Sequence, residues 1–125
     1  MQIEVSPGEV VDRMTILEIK LERITDPAKR ECLERDYEML SAAWAETPIS
    51  SSLKALREAL KDVNMMLWQV EDDLRQHERR KDFGPGFVEL ARSVYRYNDR
   101  RAALKQEINA LAGSTLNDIK SYAAY

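Results

Sequence analysis

Arg101 poses the sharpest chemical question in this chain. It stands in the run Phe87, Leu90, Val94, Tyr97, Arg101, Leu104, Ile108, Leu111, where the spacing asks for an apolar side chain. A guanidinium in a helix seam is unfavourable unless it is paired and fully hydrogen-bonded. Two readings follow. In the first, Arg101 fixes the register of an ion-pair network with Asp62, Asn64, Asn98, Glu9 or Asp12, or runs its methylenes out to water. In the second, Arg13, Asn64, Trp68, Asn98 and Arg101 line an interhelical pocket for a small carboxylate or phosphate, which a planar guanidinium can hold in a bidentate way.

Other chemistry is excluded faster. Carboxylate metal sites of the di-iron kind need two Glu-x-x-His pairs, and the chain has one histidine. That residue, His77, closes the last heptad of its run beside basic residues and reads as a layer-closing side chain. Cys32 is the one cysteine; it reads as a buried, inert thiol, and no intrachain disulfide can form. The acidic run Glu71, Asp72, Asp73 reads as balancing Arg92 and Arg96 across a hairpin. No phosphate loop, nucleophile elbow or zinc spacing is present. The expectation is no catalytic residue, no metal and no cofactor, which points away from an enzyme.

The elements that place these residues are legible as periodicity. Leu53, Leu56, Leu60, Val63, Leu67, Val70, Leu74 and His77 advance in steps of three and four, as does the run from Phe87 to Leu111. Both predict helices packed along a seam. Folded back at Gly84 and Pro85, they pair antiparallel, with Leu53 opposite Leu111, Leu60 opposite Leu104 and Leu67 opposite Tyr97. These are helices three (52–80) and four (86–112).

Ser6-Pro7-Gly8-Glu9 opens helix one, with Ser6 as cap, Pro7 in the first turn and Glu9 reaching back as the capping-box acid. Asp26-Pro27 starts helix two, and so short a connection predicts a hairpin. Ser50 to Ser52 offer caps for helix three, and Gly113 stops helix four. Thr115 with Asp118 opens a last turn before Tyr122. The sequence therefore predicts an all-α fold: two antiparallel helical hairpins in an up-down four-helix bundle, the second long and coiled-coil-like, in a single helical domain over 1–125.

Bulk composition agrees. Of the 125 residues, 33% are charged and only four each are Gly and Pro, which suits long amphipathic helices. A net charge of −3 argues against nucleic acid as a partner. No secretory signal and no membrane span is visible, so the expectation is a cytoplasmic protein. Ile16 and Ile19 lie off the main stripe of helix one, so that helix is expected to pack on two faces. Met65 and Trp68 lie off the seam of helix three; they are covered by the first hairpin or, with Ile16 and Ile19, form a candidate interface with a second subunit. The leading expectation is a non-enzymatic interaction or scaffold protein that partners itself, as a homodimer, or another protein. The alternative is a binder of a small anionic ligand, or an enzyme, using the Arg101 pocket.

Two segments, Val5 to Ile24 and Arg92 to Asn109, together with Leu67-Trp68 and Glu71-Asp72-Asp73, resemble a family of short bacterial all-helical proteins of unknown function. The resemblance spans nearly the whole chain and implies a bacterial source without an activity. Leu56-Arg57, Leu60, Asn64 and Leu67-Trp68 also resemble the opening of the long helix of all-helical chorismate mutases, which would put Arg57 on substrate carboxylates. The chain departs from that pattern at Leu74 and Pro85, where the family carries an arginine and a lysine. Without that cationic pair the electrostatic clamp on a dianion is missing.

Overall fold

The computed structural model describes residues 1–48, 50–114 and 123–125. Among the described residues four helices are formed: α1 (Pro7–Arg23), α2 (Pro27–Trp44), α3 (Ser51–Arg80) and α4 (Pro85–Leu111). No strand occurs among the described residues, and Gln2 to Val5 are exposed. The turn expected at Thr115 and Asp118, with Tyr122, lies outside the described residues.

Local chemistry accounts for the helix ends. Ser6 accepts from the Glu9 amide at 3.3 Å, Asp26 from the Lys29 amide at 3.0 Å and Ser50 from the Leu53 amide at 3.1 Å. Each satisfies one of the amides that a first helical turn leaves without a partner. Both long helices close with paired bonds around a left-handed residue. At the end of α4 this is Gly113, φ 68°; at the end of α3 it is Lys81, φ 55°.

At about 1.5 Å per residue, α3 and α4 span roughly 40–45 Å and α1 and α2 roughly 25 Å. The longer hairpin therefore overhangs the shorter one. α3 and α4 pack along each other, α1 packs on both, and α2 packs on α1. The core joins Val10, Val11 and Met14 of α1 to Trp44 of α2, Leu53, Leu60 and Val63 of α3, and Leu104 and Ile108 of α4. Fully burying one such side chain stabilises by roughly 1.5–3 kcal/mol before chain entropy is counted. Towards the 81–84 turn, burial thins: Leu74, Phe87 and Leu90 are half-buried, and Phe83 and Val88 are exposed.

One seam expectation fails at the open end. Leu53 is buried in the core with Trp44, whereas Leu111 is 54% exposed. Leu111 is the last residue of α4 and borders an outer groove instead of capping Leu53.

Candidate functional site

α1 touches the long hairpin closely at its start. The Gly8 amide donates to Asn109 Oδ1 at 2.7 Å. A Cβ on Gly8 would stand 2.5 Å from the Lys105 carbonyl oxygen, so only glycine fits this approach. Asn109 is fully buried, and its Nδ2 has no partner among the described residues.

From there α1 meets a series of polar groups on its neighbours. Lys105 Nζ, almost fully buried, lies 2.7 Å from Glu9 Oε2 and 3.9 Å from Asp12 Oδ2. Asn64 Nδ2 donates to Asp12 Oδ1 and to Thr15 Oγ1, each at 2.9 Å. Glu18 takes the Arg57 guanidinium and the Tyr37 hydroxyl, the latter at 2.9 Å, and Lys61 joins Glu18 at 3.3 Å and Glu22 at 2.7 Å.

These pairings set the acidities. The hydrogen bond from Lys105, joined by that from Arg13, holds the Glu9 carboxyl below its ordinary range against the opposing effect of burial. Burial pushes Glu18 up, but hydrogen bonds from Arg57 and Tyr37 together outweigh it and leave the carboxyl lowered.

One turn along α4 from Lys105, the pattern stops. Arg101 is half-buried and has no hydrogen bond or ion pair among the described residues. Of the acids considered as its partners, Glu9 is engaged by Lys105 and Arg13 and Asp12 by Asn64 and Lys105, while Asp62 is exposed and forms no ion pair among the described residues. Arg101 faces a cleft of about 440 Å³ between α1, α3 and α4. Ile16, Ile19, Leu67, Trp68 and Val94 form its apolar walls, and Asn64 and Asn98 bring carboxamides. At the end nearer the turn stand Glu71, Asp72 and Arg75, of which Glu71 and Arg75 pair with each other. Arg101 and Asn98 also border a second groove beneath Ala123, Ala124 and Tyr125.

Four of the five residues expected to share a pocket thus line one cleft: Asn64, Trp68, Asn98 and Arg101. Arg13 does not. Its side chain is 60% exposed, pairs with Glu9 at 3.0 Å and borders a different groove, beside Asp36 and Met39 of α2. Arg13 stands one turn after Glu9 on the side of α1 turned towards α2, not towards α4.

The expected interface set needs a similar correction. Ile19 is 1% exposed, held within this chain because α1 is buried on more than one side. Ile16, Met65 and Trp68 are half-buried, and the Arg23 guanidinium sits 5.6 Å over the Trp68 ring.

Three further expectations change. Cys32 is exposed, because α2 packs mainly on α1 and turns most of its surface to water. The acidic run does not bridge the hairpin: Glu71 pairs with Arg75 and Asp73 with Gln69, while Arg92 and Arg96 pair with Glu89. Glu9 turns to Lys105 and Arg13 instead of closing a capping box. His77 does close its layer, 6.2 Å from the Phe87 ring, with Nδ1 at 3.0 Å from the Asp82 carbonyl oxygen. Among the described residues no cluster of His, Cys, Asp or Glu is placed to hold a metal ion.

Sequence reasoning missed Lys105, Arg57 and Asn109 as packing determinants. The signal was available for two of them. Arg101, Lys105 and Asn109 follow one another at four-residue steps, a polar stripe beside the α4 seam that a third helix must meet.

No helix among the described residues is long and apolar enough to cross a membrane. A family model described as a family of unknown function, DUF6165, matches residues 1–125, and the chain belongs to that family. No curated protein and no solved structure matches the chain.

Proposed function

We propose that this protein binds a small anionic ligand, a carboxylate or phosphate, in the cleft between α1, α3 and α4, with Arg101 as the anchoring cation. One observation carries the reading: Arg101 is a half-buried guanidinium that lacks a protein partner and faces open volume. Arg57, Lys61 and Lys105, interhelical cations that also face α1, are met by its acids. Leaving one charge of this kind unmatched is unfavourable, and an external anion would compensate it with fork-shaped hydrogen bonds. Arg57 is unsuited to the role, since Glu18 and Tyr37 already occupy it. The expected result is a rise in melting temperature with members of a panel of small carboxylates and phosphates, lost in Arg101→Ala. A panel without any such rise in the parent protein would retire the reading.

Self-association is a second reading, with its own observation. On the side of the long hairpin turned away from α1, Ala55, Ala59, Ala103, Ala110 and Leu111 border a groove flanked by Arg100 and Glu107. Those two charges have no partner among the described residues. A two-fold axis near Ala103 would set Arg100 of each copy against Glu107 of the other, the reciprocal contact an isologous dimer requires. Mass in solution should report a dimer, weakened in Arg100→Glu and restored when Glu107→Arg is added. A monomer throughout a dilution series would contradict it. The family resemblance and the single, exposed Cys32 support placing this protein in a bacterial cytoplasm.

A further inference from the structure

We infer that the cleft ligand is a carboxylate carrying a hydrogen-bond donor on the adjacent carbon and an apolar side chain: an α-amino or α-hydroxy acid of the leucine or phenylalanine kind. This rests on the anion-binding reading of Arg101 and adds a selector to it. Asn64 is 5% exposed, and its Nδ2 hydrogens are directed at Asp12 Oδ1 and Thr15 Oγ1, each at 2.9 Å. Turning the amide over would set its oxygen against the Asp12 carboxylate, so the orientation is held by the protein. The remaining atom, Oδ1, accepts nothing from the described residues, and Asn64 lies in the cleft wall. The residue is buried but this oxygen is not sealed off, so an acceptor of fixed direction is left open to a ligand N–H or O–H.

Position links the two groups. Equal numbers of residues counted from Arg80 and Pro85, the facing ends of α3 and α4, bring Arg101 level with Asn64. A carboxylate on the guanidinium would therefore hold its neighbouring carbon beside that acceptor. From there Ile16, Ile19, Leu67, Trp68 and Val94 offer apolar wall for a side chain. The charge around the cleft is balanced as well: Glu71 and Arg75 cancel, leaving Arg101 against Asp72, which has no ion pair among the described residues. Such a site favours a monoanion or zwitterion over a phosphate dianion.

The test is calorimetric titration of the full chain with L-phenylalanine, L-phenyllactate and 3-phenylpropanoate, and with L-leucine and 4-methylpentanoate. Each acid with an α-donor should bind at least about tenfold more tightly than its unsubstituted counterpart. The better of phenylalanine and phenyllactate identifies the donor as ammonium or hydroxyl. Equal affinities for substituted and unsubstituted acids, all lost in Arg101→Ala, overturn this inference and leave the anion site standing. If none of the five binds, the inference fails, and the anion panel decides separately whether the Arg101 reading survives. Asn64 also helps hold α1, so the location is tested with Val94→Trp, which fills the cleft from a half-buried wall. Binding should disappear in that variant while its circular dichroism matches the parent; retained binding overturns the location.

Discussion

Lys105 and Arg101 stand one turn apart on α4, and α1 treats them differently. Opposite Lys105 it places Glu9 and Asp12; opposite Arg101 it places Ile16 and Ile19. The first region is closed, a paired charge with Gly8 pressed against the α4 backbone beside it. The second is open, an unpaired charge beside a cleft. The same two helices thus build a fastening and a vacancy, and four residues of α1 decide which is which. A buried ion pair contributes little net stability, but removing one partner is expensive because the other charge is left stranded. That asymmetry gives the comparison its tests.

The largest effect belongs to the closed region. Lys105→Ala leaves Glu9 with Arg13 alone and Asp12 with Asn64 alone. It should destabilise by about 3 kcal/mol in urea unfolding, the low end of the roughly 3–5 kcal/mol for breaking a buried pair, since both acids keep one partner. Arg101→Met should change stability by no more than about 1 kcal/mol, having no partner to strand. Similar losses from the two would erase the distinction between the regions.

Gly8→Ala comes next. Its methyl group meets the Lys105 carbonyl oxygen and forces the start of α1 away from α4, with an expected loss of about 2 kcal/mol. A neutral result would mean that α1 is not seated as described.

Acid should sharpen the contrast further. The Glu9 and Glu18 carboxyls are lowered from 4.5 in the folded protein, so the folded state prefers their ionised forms. The stability they supply is complete above that value and is lost as pH falls through the lower folded values. In Lys105→Ala the main cause of the Glu9 shift is gone, so stability measured from pH 6 downward should fall less steeply than in the parent.

The smallest change in stability is expected for Ile16→Glu, within about 1 kcal/mol, because it offers Arg101 a carboxylate without emptying the core. Its functional effect should be large: with the guanidinium satisfied internally, stabilisation by added carboxylates should vanish. Stabilisation that persists would place the anion site elsewhere.

How much of this was written in the sequence depends on the kind of signal. The two long heptad runs and the caps at Ser6, Asp26, Ser50 and Gly113 are local, and the helices formed where they pointed. Asn64, Trp68, Asn98 and Arg101 could be grouped because antiparallel register and helical spacing fix their common face. Arg13, Ile19 and Cys32 were misplaced for a shared reason. Periodicity shows that a helix has an apolar side but does not say which neighbour covers it. Only the packed structure has α1 in contact with all three other helices and α2 resting mainly on α1, with Tyr37 and Trp44 reaching α3. Close backbone approach at Gly8 and the burial of Lys105 likewise depend on contacts across about a hundred residues of chain, which no local pattern encodes.

The most direct measurement is of the Arg101 side chain itself, by nitrogen-detected magnetic resonance of the arginine Nε–H groups. In the free protein Arg57, bonded to Glu18 and Tyr37, should exchange its guanidinium protons slowly and Arg101 quickly. Adding a carboxylate ligand should shift and protect the Arg101 signal while leaving Arg57 unmoved. An Arg101 group already protected before any ligand is added, or untouched by every anion tried, would contradict the account.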